Sequence, residues 1–268
     1  MPVEEQVIGE ATIRDWMYRC IELESEAGDA GLLGYSTAFL EAMNRPEVTF
    51  VGNGPSLTME QLENISGPSI ACNRINLIYD KTDWRPTYYV YTDRYANPNW
   101  GEELIEHLMQ GYPCFVRADI AYAIPRWWAY GNLRLIAECH LRPVGNNLPP
   151  EVTEPWEAGH PWHHSQMGSI CTYGGALNTS AQLAWQLGFK TFKMIGCDGV
   201  YVPHGDNHSA ILPNYADPSG GELYDERMTG YINHRQDYVH ALIRKELPKR
   251  GMELIDYGQE ENEEDQED

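Results

Sequence analysis

Positive charge is scarce in this chain. Its 268 residues carry 40 Asp and Glu against 19 Lys and Arg, a formal net charge of −21. A surface this acidic repels phosphate backbones and anionic lipids, which argues against nucleic acid and membrane surfaces as partners. Long apolar runs are also missing. Nothing approaches the roughly 20 residues that a membrane-spanning helix needs, and the acidic N-terminus has no apolar segment of signal-peptide type. The six cysteines (Cys20, Cys72, Cys114, Cys139, Cys171 and Cys197) include no C-x-x-C pair. They read as small buried hydrophobes in a reducing compartment. These absences together lead us to expect a soluble, cytoplasmic protein. Internal repeats and coiled-coil heptads are absent too.

Apolar residues make up 42% and charged residues 22%, the ordinary balance of a globular chain, and the length suits one large α/β domain with a lid. Residues 1–46 carry no strand pattern. Ala11 to Ile21 and Leu32 to Met43 read as amphipathic helices of an N-terminal extension, packed on the main domain or at an oligomer contact. Residues 47–258 read as the main domain. Residues 259–268 are nearly all acidic or amide and read as a disordered tail.

The core begins at Val48-Thr49-Phe50-Val51, a β-branched run that stops in Gly52-Asn53-Gly54-Pro55-Ser56-Leu57. A helix follows from Thr58 to Asn64. Strand, tight turn and helix start form the unit with which α/β proteins hold anionic ligands. The glycines admit close approach, and Ser56 or Thr58 can cap the helix, whose first N–H groups favour a phosphate. The turn lacks the lysine of a P-loop and the spacing of the dinucleotide fingerprint, which excludes a P-loop NTPase. Strands at Pro68 to Cys72 and Thr87 to Tyr91 end likewise in polar residues, Asn73-Arg74 and Thr92-Asp93. Ligands of parallel sheets lie beyond the carboxyl ends of the strands. Asn53, Asn73, Arg74, Thr92 and Asp93 are therefore expected around one crevice.

A helix over Pro98 to Gln110 and a strand over Cys114 to Val116 precede an irregular stretch, residues 118–168, rich in Trp and Pro and containing His160, His163 and His164. It reads as a lid or acceptor-binding insertion. Regularity resumes at Gly174-Gly175, a second Gly-rich turn that opens a helix from Leu177 to Leu187 with Gly188 as its stop. The strand Phe189 to Cys197 ends in Asp198-Gly199. A second loop region, residues 199–230, contains His204-Gly205-Asp206-Asn207-His208. A helix from Asn233 to Leu247 and a strand from Met252 to Ile255 close the domain. The expected fold is α/β and Rossmann-like, a mostly parallel sheet flanked by helices with an irregular lid.

The run G-N-G-P-S-L after the first strand, Cys72-Asn73-Arg74 after the second, and Ala181 to Lys190 leading into Ile195-Gly196-Cys197-Asp198 resemble the bacterial sialyltransferases of glycosyltransferase family 42. The chain is also similar to a broad group of 6-hydroxymethylpterin diphosphokinase-like proteins, through Asn73-Arg74-Ile75, Lys81-Thr82-Asp83, Pro86 to Val90 and Asn207-His208. The resemblance spans about Val48 to Tyr257. It implies a nucleotide-binding domain in which Asn53 and Asn73 contact a nucleotide and its sugar, Asp198 matches the family's strand-ending aspartate, and His208 is the possible counterpart of the lid histidine that acts as base. The family's third-strand asparagine falls at Thr92-Asp93, and its aromatic pair after the aspartate is replaced by Gly199-Val200-Tyr201.

The residues themselves support two chemistries. Glycosyl transfer needs a base for the acceptor hydroxyl, and a histidine suits that role. His208 and His204 are the candidates, with Asp206 orienting either. Gly52, Asn53, Gly54, Ser56, Asn73, Arg74, Thr92, Asp93, Gly174, Gly175 and Asp198 form the candidate nucleotide site. Diphosphoryl transfer from ATP would instead need Mg²⁺ held by carboxylates such as Asp93 and Asp198. No metal is required by the first chemistry, and the spacing of His163, His164, His204 and His208 matches no zinc signature. The expected partners are a nucleotide or nucleotide-sugar donor and a small-molecule or glycan acceptor. A third reading is a degenerate nucleotide-binding module without turnover.

Overall fold

A computed structural model describes residues 45–92, 100–124, 126–138, 169–170, 175–203, 207–212 and 226–257. The expected N-terminal helices and acidic tail lie outside them. The chain runs β1 (Glu47–Val51), α1 (Met59–Glu63), β2 (Ser69–Cys72), a 3-10 helix (Asn73–Ile78), β3 (Tyr88–Tyr91), α2 (Trp100–Met109), β4 (Cys114–Arg117), α3 (Ala118–Ala121), a 3-10 turn (Trp127–Ala129), β5 (Leu133–Glu138), β6 (Ser169–Ile170), α4 (Ala176–Gln186), β7 (Thr191–Ile195), α5 (Glu226–Lys249) and β8 (Glu253–Asp256).

These strands form one sheet in the order β6-β5-β4-β3-β2-β1-β7-β8. Every neighbouring pair is parallel. The expected Rossmann-like α/β class is correct, and the mostly parallel sheet is wholly parallel. Strands step outward from β1 to β6, then the chain returns to place β7 on the other side of β1. That reversal is the topological switch point, the place beyond the carboxyl ends of the strands where open parallel sheets take their ligands.

The strands are apolar at nearly every position because both faces are covered. Val48, Phe50, Ile70, Tyr88 and Val90 face one way and pack with Ala181 and Ala184 of α4 and Val239 and Ile243 of α5. Val51, Ala71, Tyr89 and Tyr91 face the other way and pack with Leu62 of α1, Ile75, Leu104 of α2 and Ile120 of α3. The period of two sorts side chains into two cores.

Local chemistry sets the ends. Thr58 caps α1 in a capping box: Gln61 N–H donates to Thr58 Oγ1 (3.2 Å) and Thr58 N–H donates to Gln61 Oε1 (2.9 Å). Gly188, at φ +91, stops α4 in a Schellman arrangement, with Phe189 N–H on the Ala184 carbonyl and Gly188 N–H on that of Trp185.

Two stretches are more regular than their sequence suggests. Residues 118–138, within the expected insertion, supply α3 and β5. Buried Arg134 interrupts the apolar pattern of β5, donating from Nη1 to the carbonyls of Gly131 and Leu133. Helix α5 begins at Glu226 rather than Asn233 and so takes in the end of the second loop region. Its Gly230 and polar first turns hide the helical period.

Candidate functional site

At the junction of β1 and β7 the backbone closes on itself. Gly52 N–H donates to the Ile195 carbonyl and Gly54 N–H to the Gly196 carbonyl, both at 2.9 Å. Ser56 N–H reaches the Asp198 carboxylate, 3.2 Å from each oxygen. Leu57 N–H turns back to the Gly54 carbonyl at 3.1 Å. With Thr58 N–H on Gln61, five amides of this turn are filled from within. The glycines serve the same closure. A Cβ at Gly52 would stand 2.2 Å from the Gly196 oxygen, and one at Gly54 2.0 Å from Asp198 Oδ2. The glycines expected to admit a ligand here admit β7's loop. The negative charge expected from a phosphate is supplied by Asp198.

The edge formed by β2 and β3 is different. Asn53 Nδ2 donates to the Cys72 carbonyl at 3.1 Å, which ties the first turn to the end of β2 beside Asn73. Asn73 adopts φ +50, and its Oδ1 is buried with no hydrogen-bond partner among the described residues. Ser56 Oγ and Thr92 Oγ1 are buried in the same condition. These three atoms follow β1, β2 and β3 in turn. A buried polar atom without a partner costs about 1–3 kcal/mol, a cost that a ligand group can remove.

His208 is brought to this place by its neighbour. Ser209 N–H donates to the Asn53 carbonyl (2.9 Å), and Ser209 Oγ to the Leu57 carbonyl. Burial, with a smaller contribution from the Arg74 guanidinium, lowers the His208 pKa to about 4. At neutral pH its imidazole is therefore uncharged and keeps a lone pair. The edge of the Tyr201 ring lies against it, with centroids 6.1 Å apart. Arg74 forms an ion pair with Glu103 of α2, with Nη2 at 2.7 Å and Nε at 2.9 Å from Oε1.

Of the remaining candidates, Gly175 opens α4 at φ +82 without a side-chain cap, and α4 packs across β1 and β3. Asp93, Gly174, His204 and Asp206 lie outside the described residues. Sequence reasoning missed several supports. Two asparagines pin the loop after β7, each pairing with a backbone unit as a strand would. Asn233 takes the N–H and carbonyl of Tyr201 (2.6 and 2.8 Å), and Asn207 those of Val202 (2.6 and 3.0 Å). His240 of α5 abuts Gly199, where an added Cβ would lie 3.0 Å from Nε2. Nothing in the sequence links these distant residues. Only the Asn207-His208 pair gave a signal. Among the described residues, no three His, Cys, Asp or Glu side chains form a group that could hold a metal ion. No described helix is long and apolar enough to cross a membrane.

No protein-family model matches the chain, and no curated protein matches its sequence. Among solved structures it is similar to the monofunctional alpha-2,3-sialyltransferase Cst-I from Campylobacter jejuni, with 12% identity and a TM-score of 0.43. The match covers 80% of this chain and 76% of that one.

Proposed function

We propose that the protein is a nucleotide-dependent transferase that moves a sugar from a nucleotide-sugar donor to an acceptor hydroxyl. The observation that carries this reading is that Ser56 Oγ, Asn73 Oδ1 and Thr92 Oγ1, after three successive strands, have no hydrogen-bond partner among the described residues. The Asn73 oxygen can only accept, and the two hydroxyls can donate or accept. A ligand completing all three must bring O–H or N–H groups. The ribose and base edge of a nucleotide, or a sugar, have them.

In this reading Asn53 and Asn73 hold the nucleoside part of the donor. His208 takes the proton from the acceptor hydroxyl. The acceptor oxygen bonds to the sugar's anomeric carbon as the bond to the leaving phosphate breaks, and its electrons pass to the phosphate oxygen. Because His208 is neutral at pH 7, it is ready to receive that proton, although at about 4 it is a weak base. The entering phosphate would offset the Arg74 charge and raise it toward the working range.

A thermal-shift panel of CMP, CDP, UDP, GDP and ATP, each with and without Mg²⁺, tests this. A ligand that binds only the folded state raises the melting temperature by mass action. Stabilisation by a pyrimidine nucleotide without metal is the expected result. Stabilisation by ATP only with Mg²⁺ would replace the reading with diphosphoryl transfer. No shift from any of them would leave a module without nucleotide chemistry.

A further inference from the structure

We infer that Tyr89 is a positioning residue: its hydroxyl holds Asn73 in the left-handed conformation and so fixes where the Asn73 carboxamide points. Its consequence for ligand binding rests on the nucleotide reading above; the clamp itself does not.

Asn73 stands where β2 ends. Cys72 is extended, at φ −141 and ψ 162, and Asn73 then swings to φ +50. Apart from glycine, asparagine is among the few residues that visit that region readily, and a non-glycine residue stays there only where its surroundings hold it. The swing takes the Asn73 carbonyl out of the sheet ladder. Tyr89 supplies the missing donor, with its hydroxyl 2.7 Å from that carbonyl.

The tyrosine is itself immobilised. It is fully buried on β3, and its ring stacks on His107 with centroids 3.5 Å apart and planes 15° from parallel. His107 Nδ1 lies 2.5 Å from the Tyr112 hydroxyl, which lies 2.8 Å from that of Tyr79. Arg85 covers the Tyr79 ring at 4.2 Å. A rotor packed this way keeps one orientation. Burial also lowers the His107 pKa to about 3, against a smaller upward pull from the Asn73 backbone, so the stack stays uncharged at neutral pH. For filling the core alone a phenylalanine would serve at position 89. The hydroxyl's work is on Asn73.

The test compares Tyr89→Phe with Tyr79→Phe in the full chain. Both remove a buried hydroxyl from one aromatic cluster, but only the Tyr89 hydroxyl hydrogen-bonds to Asn73 directly, Tyr79 reaching it only through His107. Native-state hydrogen exchange across residues 73–78 reads the clamp without any ligand. We expect Tyr89→Phe to speed exchange there roughly tenfold, the worth of one buried hydrogen bond, and Tyr79→Phe to leave it within about twofold. Equal behaviour of the two variants would overturn the clamp. Asn73→Gly serves as a second background, since glycine adopts φ +50 without strain. There Tyr89→Phe should change exchange less, and an undiminished effect would count against the inference. With the nucleotide that stabilises the wild type, Tyr89→Phe should weaken affinity roughly tenfold while Tyr79→Phe does not. A loosened turn with unchanged affinity would sink the positioning role alone. Absence of nucleotide binding by the wild type would sink the functional reading and leave the exchange result to judge the clamp.

Discussion

The β1–β7 junction and the β2–β3 edge lie side by side at the carboxyl end of one sheet, yet their polar groups are treated oppositely. At the junction, glycines bring two backbones together, and the amides of Gly52, Gly54 and Ser56 end on carbonyls or on Asp198. At the edge, Asn73 is held in a sparse backbone region, and three side-chain oxygens lack partners among the described residues. Ser56 shares both conditions: its N–H is taken by Asp198, and its Oγ has no partner among the described residues. A site completed by its own chain gains little from a ligand, whereas one left incomplete gains about one hydrogen bond per open atom. The glycine-rich turn drew attention first in the sequence. In the structure this turn is closed by its own chain, through the Ile195 and Gly196 carbonyls and Asp198.

The difference can be broken at either end. The largest effect is expected from Gly52→Ala, which drives a methyl group into the Gly196 carbonyl. We expect a loss of about 3 kcal/mol or more in urea unfolding, and wild-type stability would mean that the junction is looser than described. His208→Ala, on the edge side, should lower turnover on the order of 100-fold while nucleotide affinity changes less than about threefold. An equal loss in both would make His208 a binding group instead.

Acid should strike the edge next. His208 and His107 have folded pKa values of about 4 and about 3, below the unfolded value near 6.5. Between these limits the unfolded chain binds protons that the folded chain refuses. Their contribution is complete above about pH 6.5 and is lost as pH falls toward 4 and then 3. We expect about 2 kcal/mol less stability per histidine at pH 5 than at pH 7, read from urea melts of the wild type and of variants lacking one histidine, and a flat profile would contradict both shifts. The smallest effect sharpens the comparison most. Thr92→Val keeps the shape of a residue only 3% exposed and removes an oxygen with no partner among the described residues. Stability should rise by about 1 kcal/mol and nucleotide binding should weaken. A fall in stability would show that the hydroxyl is already satisfied inside the protein.

Much of this was legible in the residues. Runs such as Val48 to Val51 and Tyr88 to Tyr91 are apolar at every position, a pattern stable only in a strand covered on both faces. The strand ends are marked by an abrupt change to Asn, Thr and Asp, which points to one edge of a parallel sheet. Thr58 and Gly188 do at the ends of α1 and α4 what their local chemistry dictates. Strand β5 was not legible, because Arg134 breaks the apolar run and finds its partners only in the folded chain.

The division follows from range. Helix caps, strand faces and the polar strand ends depend on residues a few positions apart, and the sequence determines them alone. What Asp198, Tyr89, Asn233 and Ser209 do depends on partners brought together across the fold, 142 residues apart for Asp198 and Ser56 and 152 for Ser209 and Leu57. Only the tertiary structure could decide that one strand-end carboxylate would close a turn while the neighbouring asparagine and threonine oxygens found no partner among the described residues. Hydrogen bonding is satisfied by whatever the fold places within reach.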